Sequence, residues 1–287
     1  MKRIVAFLLS LAVIVSAASQ VSVRFHDEAR DTTRLTRMLI EASDVSFGSP
    51  EARVAYFGRQ FTGTPYVAST LEDSVECLTV NLDQLDCTTF VETALALAYT
   101  VGEGRSSWRD YVYNLRRLRY RGGEVNGYPS RLHYICDWAV DNIHRGNITD
   151  ATALMPRVSA VARTIDFMSS NRDRYPALAD SANFARIRSV EDGYRRHRFS
   201  YVKSGDTGSK AVKAALHDGD VIAFVSNLPN LDVTHMGIIV KDSPAAEPHV
   251  LHASSVHGKV EVSTEPLADF LRKNRHWIGI RIFRLKE

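Results

Sequence analysis

A cysteine at the start of a helical segment is the first residue of this chain whose position suits chemistry. Cys87 follows Asp86, and the apolar side chains after it recur at helical spacing, at Phe90, Val91, Ala94, Leu95 and Ala98. Asp86 can cap the first turn of this helix. The unpaired N–H groups and the positive end of the helix dipole would then favour the thiolate form of Cys87. The position predicts a nucleophile, and a small buried cysteine that packs a helix is the structural alternative.

Two histidines in strand-like segments are the partners that a cysteine nucleophile needs. His235 precedes an apolar run, and His252 lies in the next strand-like stretch of the chain. If the two segments pair as antiparallel strands, their imidazoles can lie side by side. In thiol hydrolases one imidazole accepts the thiol proton, and a further polar group holds that imidazole in the required tautomer. Cys87, His235 and His252, brought together by folding, therefore predict a cysteine-dependent hydrolase.

The elements that must position these residues change in type along the chain. Helical patterns dominate the first two thirds, within 31–71 before a turn at 63–66, and then after Cys87 and at 107–119, 132–143 and 163–193. From Gly219 onward the pattern predicts strands, at 221–225, 236–240, 250–253, 260–262 and 278–285. Helices first and strands last is the layout of an α+β fold. A papain-like arrangement satisfies it, with the cysteine heading a helix that packs on an antiparallel sheet.

Composition and the N-terminal segment limit the classes of protein to which the chain can belong. With 287 residues, 45% hydrophobic and 24% charged, it is an ordinary globular sequence, and its net charge of +3 is too small to indicate a nucleic-acid partner. The basic start, the apolar run and the small residues that follow predict a cleaved signal peptide over residues 1–18. Residues 19–287 then form one domain. We expect a periplasmic monomer without stable membrane insertion, because no later apolar run approaches the roughly 20 residues that cross a bilayer.

The remaining cysteines and the absence of metal-ligand motifs complete this picture. Three cysteines are an odd number, so at least one is unpaired within the chain. If Cys87 stays reduced, Cys77 and Cys136 are left as candidates for a disulfide, although a chain of this size does not need one. The alternative is that Cys136 is a simple core residue. Neither an HExxH motif nor paired metal-ligand spacing occurs, so we predict no metal and no other cofactor, and a zinc amidase is not favoured.

The order of the motifs resembles that of the NlpC-type cell-wall cysteine hydrolases. Five segments carry this resemblance, at 63–66, 86–91, 218–221, 234–238 and 251–253. Further strings at 69–72, 81–82, 90–93 and 130–134 look like the N-acetylmuramoyl-L-alanine amidase-like branch of that superfamily. The resemblance implies a papain-like α+β fold and hydrolysis of the amide between the muramoyl lactyl group and L-alanine. The partners would be peptidoglycan fragments, that is, soluble muropeptides that carry anhydro-MurNAc.

The same resemblance implies roles for individual residues around the thiol. Cys87 would be the nucleophile, His235 the base and His252 the group that orients it. Tyr66 matches a family tyrosine near the nucleophile, where its hydroxyl could join the Cys87 backbone N–H in stabilising an oxyanion. A turn tyrosine that packs on the sheet is the alternative for Tyr66.

A second group of candidates lies in a segment that the general superfamily pattern lacks. Arg131, His133 and Tyr134 could recognise the sugar, since an arginine fork suits a carbonyl or carboxylate and a tyrosine suits a sugar face. A polar cluster that caps the following helix is the structural alternative.

Two other functions stay open on the sequence. One is a stem-peptide endopeptidase that cuts between D-glutamate and the diamino acid. The other is a catalytically silent muropeptide-binding protein that keeps the same cleft, although the Cys87, His235 and His252 set argues against it.

Overall fold

An antiparallel sheet with helices on both faces organises the computed structural model, which describes residues 23–286. The sheet runs in the order β4-β5-β10-β6-β7-β8-β9, with β3 paired to the far end of β10, and every pair within it is antiparallel. A separate parallel pair, β1 with β2, lies outside it. The mixed α+β class predicted from the sequence is confirmed. The predicted signal peptide, residues 1–18, lies outside the described residues.

The helices and strands have the following bounds. The helices of the described residues are α1 Glu28–Ser43, α2 Pro50–Arg59, α3 Cys87–Gly102, α4 Trp108–Arg119, α5 Ile135–His144, α6 Phe167–Ser170, α7 Ser181–Gly193, α8 Lys210–Ala215 and α9 Leu267–Lys273. The strands are β1 Val23–Phe25, β2 Leu78–Val80, β3 Ile148–Asp150, β4 Val158–Arg163, β5 His197–Lys203, β6 Val221–Ser226, β7 Val233–Val240, β8 His249–Ser254, β9 Lys259–Val262 and β10 Trp277–Leu285.

The central strands are buried on both faces, and their side chains alternate between two hydrophobic layers. In β6, Val221 and Ala223 join the main core with residues of α1 to α4, whereas Ile222 and Phe224 join a second cluster with residues of α8 and α9. Helix α3 packs directly on β7 and β8. The helix that begins with Cys87 therefore rests on the two strands that carry His235 and His252.

A glycine fixes the turn that leads into β6. Gly219 has a φ of +91°, and a Cβ at this position would collide with the backbone carbonyl of Glu51. Only glycine adopts this left-handed conformation without strain and leaves room for the neighbouring backbone. The turn therefore brings the start of α2 against the start of the central strand.

The strands predicted in the last third are present, but the five strands that precede them, β1 to β5, were missed. β4 and β5 form a hairpin-like pair at the edge of the sheet, and the chain between them, residues 164–196, leaves the sheet as a long insertion. The exposed edge position of β4 explains why its sequence lacks the apolar run of a central strand. The insertion packs through Ile165, Met168, Leu178 and Ile187 against residues that precede and begin α5.

The cysteines and the membrane question can be settled for the described residues. Cys77, Cys87 and Cys136 all have free thiols, so the disulfide between Cys77 and Cys136 that the sequence left open is not formed in this structure. Cys136 is fully buried in the apolar cluster beneath the insertion, which is the core alternative. Between residues 23 and 286, no helix combines the length and the apolar character needed to span a bilayer.

A buried ion pair ties the helix of Cys87 to its neighbours. Arg119 at the end of α4 donates from Nε to Glu92 of α3 at 2.6 Å and from Nη1 to the carbonyl of Thr79 in β2 at 2.7 Å. Both charged side chains are almost fully buried. Because each charge has lost its water, the pair holds α3, α4 and β2 in one arrangement only as long as both partners are present.

We expect Arg119→Met to lower the free energy of unfolding by about 3–5 kcal/mol, because Glu92 would be left buried without its partner. Urea denaturation at neutral pH measures this loss. The matched control is the double variant Arg119→Met with Glu92→Leu, which removes both charges and should recover much of the stability. A single variant that loses less than about 1 kcal/mol, the range of an exposed pair, would contradict the structural role of this contact.

Candidate active site

The first turn of α3 is capped as the sequence predicted. Asp86 accepts hydrogen bonds from the backbone N–H groups of Thr88 and Thr89 at 3.0 and 2.8 Å, and Thr89 Oγ1 accepts from the backbone N–H of Asp86 at 2.9 Å. This reciprocal arrangement is a capping box. The capping box fixes Cys87 as the first residue of helix α3. The Cys87 side chain therefore lies at the N-terminal end of the helix that packs on β7.

The thiol of Cys87 lies in a cleft of about 270 Å³ that His235 also lines. The strand residues on either side of His235, Thr234 and Met236, contribute to the same wall. The backbone N–H of Met236 donates to the sulfur of Cys87, which joins the start of α3 to the start of β7. The sequence-predicted thiol and the sequence-predicted base thus meet in one cavity.

The two histidines lie side by side on adjacent antiparallel strands. Nε2 of His235 is 2.8 Å from Nδ1 of His252, and the rings meet edge to face with centroids 4.9 Å apart. If Nε2 of His235 carries the proton of this contact, Nδ1 of His235 is left as an acceptor for the thiol proton. In that tautomer His252 holds His235 in the form that a general base requires.

Three aromatic side chains enclose the histidine pair. Trp277 stacks on His235 with centroids 5.6 Å apart and planes inclined by 11°, and Phe224 lies 5.4 Å from the same ring. Phe270 meets the edge of His252 at 5.1 Å. The indole N–H of Trp277 also donates to Thr234 Oγ1 at 3.0 Å, so this ring is fixed at both ends. The aromatic box restrains the orientation of both imidazoles and reduces their contact with water.

The environment makes both reacting groups neutral at rest. Burial in the aromatic box, together with the neighbouring imidazole, lowers the pKa of His235 to about 3, and burial lowers the pKa of His252 to about 4. Burial, followed by the negative charge of Asp86, raises the pKa of the Cys87 thiol to about 11. Desolvation and the Asp86 carboxylate thus act in the direction opposite to the thiolate-favouring effect expected of the helix end.

We expect the alkylation rate of Cys87 to rise about tenfold per pH unit between pH 6 and 9, without a plateau, because only the small thiolate fraction reacts. Iodoacetamide labelling followed by mass spectrometry of the Cys87 peptide measures this rate, and the Cys77 peptide of the same digest is the internal control. A plateau with an apparent pKa below about 7 would instead indicate a resting thiolate and imidazolium pair.

The opposite wall of the cleft comes from α5 and from the 164–196 insertion. Phe167, Met168 and Tyr175 of the insertion face the cavity, as do Ile135 at the start of α5 and Leu231 before β7. Among the described residues that line this cleft there is no aspartate, glutamate, lysine or arginine. Across residues 23–286, no group of three or more His, Cys, Asp or Glu side chains is arranged to hold a metal ion. The cleft therefore presents an uncharged and largely apolar surface to a substrate.

Tyr66 lies beside the thiol, on a segment that is tied to the approach to α3. Leu85 donates its N–H to the carbonyl of Pro65 at 3.0 Å, and Val67 donates to the carbonyl of Leu85 at 3.2 Å. Burial and the nearby Cys87 and Asp86 raise the pKa of the Tyr66 phenol, which keeps its hydroxyl proton available for donation. This placement is consistent with contact to an oxyanion and also with packing, since the ring touches the main core.

The three other candidates fall in two different environments. Arg131 is buried away from the cleft and pairs with Glu72 at 2.8 Å and Glu76 at 3.2 Å. Its guanidinium is therefore occupied, which corrects the expectation that Arg131 offers a free fork to the substrate. A buried arginine needs such carboxylates because it stays charged.

His133 and Tyr134 line the cleft, but only one of them offers a polar atom to it. The Tyr134 hydroxyl donates to Glu191 at 2.7 Å and accepts from the N–H of Met168 at 2.7 Å, so it anchors the insertion and its ring alone faces the cavity. His133 Nε2 contacts the carbonyl of Tyr128 at 2.9 Å, and its ring remains in the cleft wall.

Sequence reasoning missed the aromatic box and the insertion wall. Trp277 begins β10, Phe270 lies in α9, and Phe224 lies in β6, so no local pattern marks them as neighbours. The signal available in the sequence was limited to isolated aromatic residues in or near apolar strands. The wall residue Phe167 begins the short helix α6, and Tyr175 lies in the irregular chain after it. Neither segment is long enough for periodicity to indicate which side chains face a cavity.

The chain matches a known family over most of its length. Residues 56–280 match the AmiA-like family, described as N-acetylmuramoyl-L-alanine amidase-like. No curated protein matches the chain.

Solved structures resemble the chain closely. An N-acetylmuramoyl-L-alanine amidase from Bacteroides uniformis is 36% identical, with a TM-score of 0.78 over 84% of this chain and 100% of the solved one. A candidate xylanase from Bacteroides fragilis is 37% identical, with a TM-score of 0.74 over 80% of this chain and 100% of the other. A protein from Legionella pneumophila at 19% identity shares the fold, with a TM-score of 0.70 over 91% of this chain and 96% of that one.

Proposed function

The chain belongs to the AmiA-like family of N-acetylmuramoyl-L-alanine amidase-like proteins, and from this premise we propose a cysteine amidase of peptidoglycan fragments. The bond cut is the amide between the muramoyl lactyl group and L-alanine. The observation that carries the proposal is the shared cleft of Cys87 and His235, with His252 at 2.8 Å from His235. Helix α3 on an antiparallel sheet that carries the histidines is the arrangement of a papain-like, NlpC-type hydrolase, and we include this relationship in the proposal.

The reaction begins from a neutral thiol and a neutral imidazole. Cys87 attacks the lactyl carbonyl while His235 takes the thiol proton. His252 holds the resulting His235 imidazolium in position. The oxyanion of the tetrahedral intermediate accepts hydrogen bonds from the backbone N–H of Cys87 and from the hydroxyl of Tyr66. His235 then returns the proton to the nitrogen of L-alanine, and the peptide leaves as a free amine.

Hydrolysis of the resulting thioester completes the cycle. A water molecule attacks the acyl carbon, His235 accepts its proton, and the Cys87 sulfur leaves and is reprotonated. The product is a muramoyl acid, which carries a carboxylate. Because the cleft is lined by uncharged groups, this new charge is poorly solvated there and favours release of the product.

The uncharged cleft also discriminates between the proposed reaction and its rivals. An endopeptidase that cuts beside the diamino acid must accommodate carboxylates next to the scissile bond, and the cleft has no cation to pair with them. A xylanase of the usual kind needs two carboxyl groups that flank the glycosidic bond, and neither aspartate nor glutamate lines this cleft among the described residues. The muramoyl part of the substrate is uncharged around its amide, which suits this surface.

We also propose that the enzyme works in the periplasm after removal of residues 1–18, on soluble muropeptides that carry anhydro-MurNAc. The sequence of the first 18 residues, with its basic start and apolar run, supports export. The volume of the cleft is close to the lower end of the range for small-ligand sites, which is about 300 to 1,000 Å³. This size supports recognition of one sugar unit rather than of intact wall.

Mass spectrometry of products from anhydro-MurNAc-tripeptide and from the bare tripeptide tests the proposal. We expect intact tripeptide and free anhydro-MurNAc from the first compound and no cleavage of the second, because the sugar supplies binding energy that positions the carbonyl. Cleavage inside the bare tripeptide would support the endopeptidase instead. Binding of either compound without any product would support a silent muropeptide-binding protein.

A further inference from the structure

The imidazole of His133 is held in one tautomer by its neighbours. Nε2 lies 2.9 Å from the backbone carbonyl of Tyr128, which can only accept, so Nε2 carries the proton. The ring of Tyr128 lies against the imidazole with centroids 4.4 Å apart and fixes its plane. In the neutral ring Nδ1 is then an acceptor, and no partner for Nδ1 is found in the described part of the protein.

Nearby positive charges keep this imidazole neutral. Burial, followed by the guanidinium groups of Arg131 and Arg121, holds the pKa of His133 well below its usual range. Arg131 lies over the same Tyr128 ring, with its guanidinium carbon 5.0 Å from the ring centroid. Arg131, which does not line the cleft, therefore lowers the pKa of His133, which does. His133, which lines the cleft, therefore carries a lone pair and no proton on Nδ1.

The surroundings of His133 limit the ligand group that it can serve. The next two residues of the chain, Tyr134 and Ile135, also line the cleft, and they offer a ring and an alkyl group, since the Tyr134 hydroxyl is used internally. A fixed acceptor in an uncharged wall matches a group that donates and never accepts. An amide N–H is such a group, whereas a hydroxyl can do both and an ammonium would be poorly solvated.

We infer that His133 is a specificity residue, whose Nδ1 accepts a hydrogen bond from the acetamido N–H of the muramoyl sugar. This inference rests on the proposed function, because it names the part of the proposed substrate that the cleft reads. The N-acetyl group then packs against the apolar wall that the insertion provides, and the lactyl carbonyl is directed toward Cys87. His133 takes no part in the proton transfers.

The experiment compares two substrates that differ in one atom. The first is anhydro-MurNAc-L-Ala-D-Glu, and the second is its analogue with a 2-O-acetyl ester in place of the N-acetyl group, which is neutral, of similar shape and without the N–H. We expect the wild-type enzyme to lose about tenfold in kcat/KM on the ester analogue, mainly through KM, because the buried acceptor is left unpaired.

Two replacements of His133 separate an acceptor from a packing group. His133→Phe should lose about tenfold on the N-acetyl substrate and show no further loss on the ester analogue, because the shared hydrogen bond can be lost only once. His133→Asn places an amide oxygen near the position of Nδ1 and should stay within about threefold of wild type. His144→Phe, the same replacement at an exposed histidine of α5, is the control.

The outcomes distinguish this inference from the proposed function. Equal kcat/KM of the wild-type enzyme on both substrates, or additive losses in His133→Phe, would overturn the role of His133 while leaving the amidase intact. No cleavage of either substrate would contradict the proposed function itself. If His133→Phe has a lowered melting temperature, calorimetry with Cys87→Ala and the two uncleaved substrates decides the matter, with equal affinities overturning the inference.

Discussion

Replacing Cys87 by serine is expected to reduce amide hydrolysis at least about a hundredfold, with no loss of folded protein. The serine hydroxyl is similar in size to the thiol, and the capping box of Asp86 and Thr89 does not depend on it. However, a hydroxyl ionises far less readily than a thiol, and burial already raises the pKa of the thiol to about 11. The neutral base His235 could then hardly activate the weaker nucleophile.

The measurement is kcat/KM on a muramoyl-L-alanine substrate, with the melting temperature as the test of folding. Cys77→Ser is the matched control, because Cys77 is partly exposed and lies outside the cleft. Serine at position 87 that supported near-wild-type turnover would refute a cysteine mechanism. A loss of the same size in Cys77→Ser would point to general oxidation or destabilisation instead.

The neutral resting pair gives the mechanism a particular energetic character. In an ion-pair site, the proton has already moved before the substrate arrives, and the thiolate is exposed to oxidants. In the proposed mechanism the proton moves during attack, so the charge on His235 appears only together with the oxyanion, which would accept hydrogen bonds from Tyr66 and the Cys87 N–H. Stabilisation is thereby concentrated in the transition state. The partly exposed thiol is also protected, since little thiolate is present at neutral pH.

The sequence was sufficient to predict those parts of the site that depend on residues close together in the chain. The helix that starts at Cys87, its Asp86 cap and the antiparallel strands of His235 and His252 follow from periodicity and from residue type, because each depends on a few neighbouring residues. The order of the five motif segments along the chain also indicated the family. These features set the backbone and the identity of the reacting groups.

The environment of those groups could not be predicted from neighbouring residues. Burial and the Asp86 carboxylate raise the pKa of Cys87, and the α5, β7 and insertion residues that share its cleft are far apart in the chain, so a local dipole argument does not include them. Arg131 was expected at the substrate because arginine suits carbonyls and carboxylates, yet its partners Glu72 and Glu76 come from a loop without any periodic pattern. Side-chain partners across long separations are set by tertiary packing.

Removing the base should separate the roles of the two histidines. We expect His235→Ala to lower kcat by at least about a hundredfold at neutral pH, because the imidazole proposed to take the thiol proton is then absent from the cleft. His252→Asn should keep part of the rate, since an amide oxygen can still accept from Nε2 of His235 and hold the same tautomer. His144→Ala, at an exposed position of α5, serves as the control for loss of an imidazole.

The two variants also differ in their expected response to pH. With His235→Ala, residual turnover should rise with pH, because hydroxide or the small thiolate fraction must replace the base, whereas His252→Asn should keep the wild-type profile at a lower rate. Burial in the box of Trp277, Phe224 and Phe270 lowers the pKa of His235 to about 3, so the wild-type rate should not fall until the pH is well below the usual range of histidine titration. If His252→Asn were as inactive as His235→Ala while folded, His252 would act in the chemistry directly. If His235→Ala retained its rate, the base would be another group, and the geometry of the pair would serve structure alone.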